Sequence, residues 1–111
     1  EAVGVRYATE FPLRPFTHFP GVLPGWDNTP RRQDSSFILD GASPGAFRAW
    51  LEHALEFSRD FNVPERRMVF INAWNEWGEG AYLEPDQRYG HAYLVAMRDA
   101  LEAHKYQKRN A

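Results

Sequence analysis

The 111-residue sequence contains no cysteine. That absence excludes a disulfide-stapled scaffold, a cysteine-bound zinc and a thiol nucleophile. An excess of charge of one sign is also missing, with 13 Lys+Arg against 15 Asp+Glu and a net charge of −2. Such a balance gives no reason to expect nucleic acid or an anionic membrane surface as a partner. Long hydrophobic runs are lacking as well. The longest, around Met68–Ile71, is far too short for a transmembrane segment. No leader pattern is present, although the chain opens on Glu1 rather than Met. The expectation is a cytoplasmic protein whose true N-terminus, and with it any signal peptide, lies outside this sequence. Internal repeats and low-complexity tracts are absent too. The length allows one small domain with a modest core, 1–111, and falls well short of the ~250 residues of a closed (β/α)₈ barrel.

Aromatic residues, in contrast, are plentiful at 15%, with four tryptophans. Trp50 falls on a helical stripe, whereas Trp26, Trp74 and Trp77 sit among turn formers, amides and carboxylates. Aromatic faces beside such groups suit sugar rings, whose C–H faces stack while their hydroxyls need donors and acceptors.

Val3, Val5 and Tyr7 alternate as a short strand would, and Pro12, Pro15, Pro20, Pro24 and Pro30 then exclude a regular helix. Gly21–Leu23 reads as a short buried strand, 26–32 as a loop and 35–40 as an extended connector. A helix is expected over Pro44–Asp60. Ser43 supplies the N-cap, Phe47, Trp50, Leu51, Ala54 and Leu55 form one stripe, and Asn62-Val63-Pro64 ends it. Met68-Val69-Phe70-Ile71 reads as a strand buried on both faces, as in a parallel sheet. A last helix is expected from about Tyr89 to His104, with Tyr93, Leu94, Met97, Ala100 and Leu101 facing inward and a frayed basic end. This order argues for an α/β fold, with Gly21–Leu23 and Met68–Ala73 as parallel neighbours.

The chemistry converges on Ile71–Asp86, directly after the second strand, where α/β folds build their sites. Glu76 and Glu79 would face opposite ways in a continuing strand but share a side in a turn or helix. Gly78 and Gly80 permit that turn. Paired carboxylates at such a separation are what glycoside chemistry uses. A dinucleotide fingerprint starting at Gly78-Glu79-Gly80 fails, because Leu83 holds the third glycine position. No histidine pair stands at ligand spacing, and no metal or organic cofactor is implied.

The run Ile71-Asn72-Ala73-Trp74-Asn75-Glu76-Trp77-Gly78-Glu79-Gly80, with Leu83-Glu84-Pro85-Asp86, Tyr89-Gly90 and Tyr93-Leu94 after it, resembles the C-terminal signature of the WbsX-like family. These are glycosyltransferases of bacterial O-antigen and surface-polysaccharide gene clusters. Pro24-Gly25-Trp26-Asp27-Asn28-Thr29-Pro30-Arg31 resembles an upstream signature of the same family. That family is in turn similar to glycoside hydrolase family 99, endo-acting α-mannosidases with a (β/α)₈ barrel and a Glu-Trp-x-Glu arrangement of acids. Glu76-Trp77-Gly78-Glu79 matches that arrangement, with Gly78 where the hydrolases more often carry histidine.

The resemblance implies the C-terminal βα units of a TIM-type barrel, an incomplete domain that needs a preceding N-terminal part. It implies transfer to, or hydrolysis of, a glycosidic bond in an oligo- or polysaccharide. Glu79 would then be the general acid/base, and Glu76 the carboxylate that polarises the sugar 2-hydroxyl. Trp26, Trp74, Trp77 and Tyr82 are candidate walls. Asp27, Asn28, Asn72, Asn75 and Glu84 are candidate hydroxyl partners, and Arg31 a contact for an anionic group. The competing reading is a non-catalytic carbohydrate-binding or degenerate fragment.

Overall fold

The computed structural model describes residues 15–109. The alternation at Val3, Val5 and Tyr7 lies outside the described residues. Strand β1 (Gly21–Val22) is followed by helix α1 (Pro44–Phe61), a 3₁₀ turn at Pro64–Arg66 and strand β2 (Phe70–Ile71). Strands β3 (Asn75–Glu76) and β4 (Ala81–Tyr82) flank a second 3₁₀ turn at Trp77–Glu79, and helix α2 (Ala92–Arg109) closes the order.

β1 and β2 pair in parallel, Gly21 opposite Phe70 and Val22 opposite Ile71, with α1 between them in the chain. This is the expected strand–helix–strand arrangement, although each strand is only two residues long. β3 and β4 form a small antiparallel hairpin, Asn75 opposite Tyr82 and Glu76 opposite Ala81.

α1 forms where local chemistry dictates. The Ser43 hydroxyl accepts from the Ala46 N–H at 3.1 Å, and Pro44, which has no N–H to satisfy, takes the first turn. At the other end the Asn62 N–H donates to the Ser58 carbonyl, and Pro64 blocks continuation. Phe47, Leu51 and Ala54 are buried as the stripe predicts, with Trp50 and Leu55 packed at the margin. Ser58 completes the buried face. α2 packs along α1 through Tyr93, Ala96 and Ala100, and Val22 and Leu83 fill the space between helices and strands. Alanines at the helix contact let the two backbones approach closely.

Helix α2 departs from expectation in three respects. α2 starts at Ala92 rather than Tyr89, because Asp86 and Gly90 first close a turn. The Tyr89 N–H donates to Asp86 Oδ1 at 2.6 Å, and Gly90 takes a left-handed conformation with φ 56°. The basic end does not leave the helix at His104 but continues in it to Arg109. Leu101, expected inward, is 39% exposed, since Ala96 and Ala100 centre the contact face elsewhere.

The strand at Met68–Ile71 is not buried on both faces. Val69 and Ile71 pack against the core, whereas Met68 and Phe70 are exposed, Phe70 to 60%. One face of the two-stranded sheet lies against the helices, and on the other the Phe19 ring meets Phe70 edge-on at 6.3 Å. No helix of the described residues is long and apolar enough to cross a membrane.

Candidate active site

Past β2 the chain turns sharply. The Asn72 N–H donates to the Val22 carbonyl at 3.0 Å, and the Asn72–Ala73 peptide is cis. The Leu83 and Glu84 N–H groups donate to the Trp74 carbonyl at 2.9 Å. This ties the far arm of the β3–β4 hairpin to the segment that follows β2. Glu76 ends β3 and Glu79 ends the 3₁₀ turn, so the strand stops before its alternation would separate the two side chains. Gly80 follows with φ 59° and returns its N–H to the Trp77 carbonyl at 3.1 Å.

Both carboxylates meet one cation. Arg31 Nη2 lies 2.9 Å from Glu76 Oε1, and Nη1 donates to Glu79 Oε1 at 3.2 Å. Arg31 reaches them from the loop between β1 and α1, whose shape is set by two of its own side chains. Asp27 Oδ1 accepts from the Thr29 N–H at 3.0 Å, and Asn28 Oδ1 accepts from the Phe37 N–H at 2.7 Å. The Arg31 and Arg32 N–H groups both donate to the Asn28 carbonyl. The Thr29 hydroxyl and N–H hold the Asp27 carboxyl below its ordinary range. This loop docks closely onto the turn at Trp77–Gly80. The Asp27 N–H donates to the Glu79 carbonyl at 2.8 Å, and a Cβ on Gly80 would lie 3.0 Å from the Asp27 nitrogen.

A second cluster stands beside the carboxylates. The Trp77 indole stacks on the Tyr82 ring at 3.9 Å and 18°, and its Nε1–H donates to Glu84 Oε2 at 2.8 Å. The Tyr82 hydroxyl donates to Asp86 Oδ2 at 2.9 Å. Burial, and then that hydrogen bond, pushes the Tyr82 hydroxyl above its usual range. The Tyr89 N–H holds the Asp86 carboxyl low.

On the other side of Gly80 lies a cavity of about 290 Å³ lined by Trp26, Asp27, Tyr82, Arg88, Tyr89 and Tyr93 among others. That is near the small end of ligand clefts, roughly 300–1,000 Å³. Burial drives the Tyr93 hydroxyl up to about 12.

The structure thus brings Glu76, Glu79 and Arg31 together, and Trp77, Tyr82 and Glu84 together, with Trp26 and Asp27 at the adjoining cavity. Asn28 shapes the Arg31 loop, with its side-chain carbonyl already engaged by Phe37. Asn72, Trp74 and Asn75 are exposed along the approach to the hairpin. Among the described residues, no three His, Asp or Glu side chains converge as metal ligands would.

Sequence reasoning missed that Arg31 binds the two glutamates, and that Arg88, Tyr89 and Tyr93 line the cavity. Tyr89 and Tyr93, four apart at the entry to α2, carried the only local signal. The partnership of Arg31 with residues more than forty positions away carried none.

Comparison with known proteins matches residues 3–97 to the family model described as glycosyltransferase WbsX. The chain is 56% identical over 91 residues to the uncharacterized protein WxcX of Xanthomonas campestris pv. campestris, in strain B100 and equally in strain ATCC 33913. The matched region covers 81% of this chain and 13% of each relative, so the chain spans a small part of their length. No solved structure matches.

Proposed function

Because the chain belongs to the glycosyltransferase WbsX family, we propose that it carries the carboxylate pair of a carbohydrate-active enzyme. The larger protein would make or break glycosidic bonds in bacterial surface-polysaccharide metabolism, O-antigen included. The observation that carries this reading is the convergence of Glu76 and Glu79 on one side of the turn, beside a wall of stacked aromatics.

Glu79 is the group at the glycosidic oxygen, giving a proton as the bond breaks and recovering it from the incoming hydroxyl. Glu76 accepts from the sugar 2-hydroxyl and raises its nucleophilicity, a neighbouring-group variant of two-carboxylate chemistry. Trp77 with Tyr82, and Trp26 in the cavity, supply stacking faces for adjoining sugars. The β1–α1–β2 unit with α2 is then the C-terminal part of a TIM-type barrel. The open face of β2 supports that reading, since a parallel sheet is ordinarily covered on both sides.

A second reading is a carbohydrate-binding segment without catalysis, which the aromatic cavity alone would satisfy.

The test is turnover of a polysaccharide or activated glycoside by the full-length protein. Glu79→Gln and Glu76→Gln keep the side-chain shape and remove the titrating group. Each is expected to lower turnover by about 10²–10⁴-fold, the usual worth of a positioned general acid or base. Sugar binding is expected to persist in both. Unchanged turnover in the two variants would leave the binding reading in place of the catalytic one.

A further inference from the structure

The glycine at the centre of the catalytic turn is not there for backbone freedom. Gly80 takes a left-handed conformation, but Gly78 does not. What distinguishes position 78 is space. A Cβ built there would lie 2.8 Å from Arg31 Nη2, 2.9 Å from Nε and 3.0 Å from Cζ. Its three nearest neighbours are guanidinium atoms, and the distances put the Cβ position against the Nε–Nη2 edge of that group. The same guanidinium reaches past the turn to Glu76 through Nη2 and to Glu79 through Nη1.

We infer that Arg31 and Gly78 are a matched pair, in which the absent side chain at 78 seats the guanidinium that holds Glu76 and Glu79 toward one another. Arg31 is a positioning residue, and the inference rests on the catalytic reading of the two glutamates. One cation bonded to both side chains fixes their spacing across the turn. A guanidinium suits this place because its two terminal nitrogens diverge in one plane and engage two acceptors at once. A lysine ammonium is a point charge on a flexible stem.

The pair is not there for stability. Arg31 is half exposed, and solvated ion pairs contribute little to folding. The three atoms nearest a methyl group at 78 all belong to the movable end of a long side chain. Gly78→Ala therefore leaves the hairpin folded and displaces the guanidinium. This separates site geometry from fold, which few glycine substitutions do.

The experiment uses the full-length protein and four variants, Arg31→Ala, Arg31→Lys, Gly78→Ala and the Arg31→Ala/Gly78→Ala double. Turnover, KM and thermal midpoint are measured with and without added guanidinium chloride, and with methylammonium chloride at matched ionic strength. Arg31→Ala and Gly78→Ala should each lower kcat by about 10²-fold, the scale of a misplaced catalytic group, with KM and thermal midpoint little changed. The double variant should be no worse than either single one, as expected of two residues in one contact. Guanidinium, and not methylammonium, should restore part of the Arg31→Ala rate. It should fail in the double variant, where the added methyl occupies its seat, and Arg31→Lys should stay low.

Wild-type kcat in Gly78→Ala, multiplying losses in the double variant, or equal rescue by methylammonium would overturn the pairing while the glutamate roles stand. Wild-type turnover in Glu76→Gln and Glu79→Gln would overturn the catalytic reading itself, and this role for Arg31 with it.

Discussion

Tyr82 serves the site with two parts of one side chain. Its ring lies on Trp77 and its hydroxyl is bound to Asp86, so the aromatic wall beside the carboxylates is held at both edges. Trp26 is half-buried at the neighbouring cavity, which it lines together with Tyr82 but not with Trp77. The two tryptophans therefore serve different sugars in the proposed function. Trp26→Ala removes a stacking face without touching Glu76, Glu79 or Arg31. It should weaken oligosaccharide binding by on the order of 1 kcal/mol, several-fold in Kd, with turnover at saturating substrate little altered. Isothermal titration and steady-state rates on the full-length variant check this together. A turnover loss as large as that of Glu79→Gln would place Trp26 at the reacting centre.

The elements differ in how far they could be read in advance. α1 was legible because its determinants are local: Ser43 and Pro44 at one end, Asn62-Val63-Pro64 at the other and one apolar stripe between. The start of α2 was not, because Tyr89 continues the stripe of Tyr93 and Met97. The bracket from Asp86 that keeps Tyr89 out of the helix is a side-chain-to-backbone bond that periodicity does not register. β2 was overread for a similar reason. Four apolar residues in a row look alike whether one face or both are covered, and Phe70 shows that one is open. At the site, the glutamate spacing and the glycine turn were visible in a ten-residue window. The Arg31 bridge joins segments 48 residues apart, which only the fold brings together.

The 86–90 turn and the entry to α2 also carry a pH signature. Asp86 is held below its ordinary value of 3.8, so its contribution is present above that value and is lost as pH falls through the lowered one. Tyr93 is raised from 10.0 to about 12, so its contribution is present below 10.0 and is lost as pH rises toward 12. Thermal midpoints of the dilute chain should be flat between these limits and fall on both sides. Asp86→Asn should reduce the acid limb, which Asp27 shares, and Tyr93→Phe the alkaline one, which Tyr82 shares. Unchanged limbs in both variants would contradict the assignment.

Among the described residues, the helices pack on one another and on one face of the β1–β2 sheet, and the other face stays open. Phe70 on β2 and Met68 just before it are exposed, and the chain spans 13% of the length of its relatives WxcX. Exposed strand edges and contiguous apolar faces drive self-association. The chain on its own is therefore expected to form concentration-dependent oligomers in sedimentation velocity, and Phe70→Lys to reduce them. A dilute-to-concentrated series of clean monomer would contradict this.

The central claim, that Glu79 is the proton donor to a glycosidic oxygen within that larger protein, is tested most directly by leaving-group dependence. Full-length wild type and Glu79→Gln are compared on aryl glycosides whose leaving phenols range from strongly to weakly acidic. A phenolate that departs without protonation needs no general acid. Glu79→Gln should therefore approach wild-type rates on the most acidic phenol and fall behind by about 10²-fold or more on the least acidic. Equal rates, or an equal deficit across the series, would contradict it.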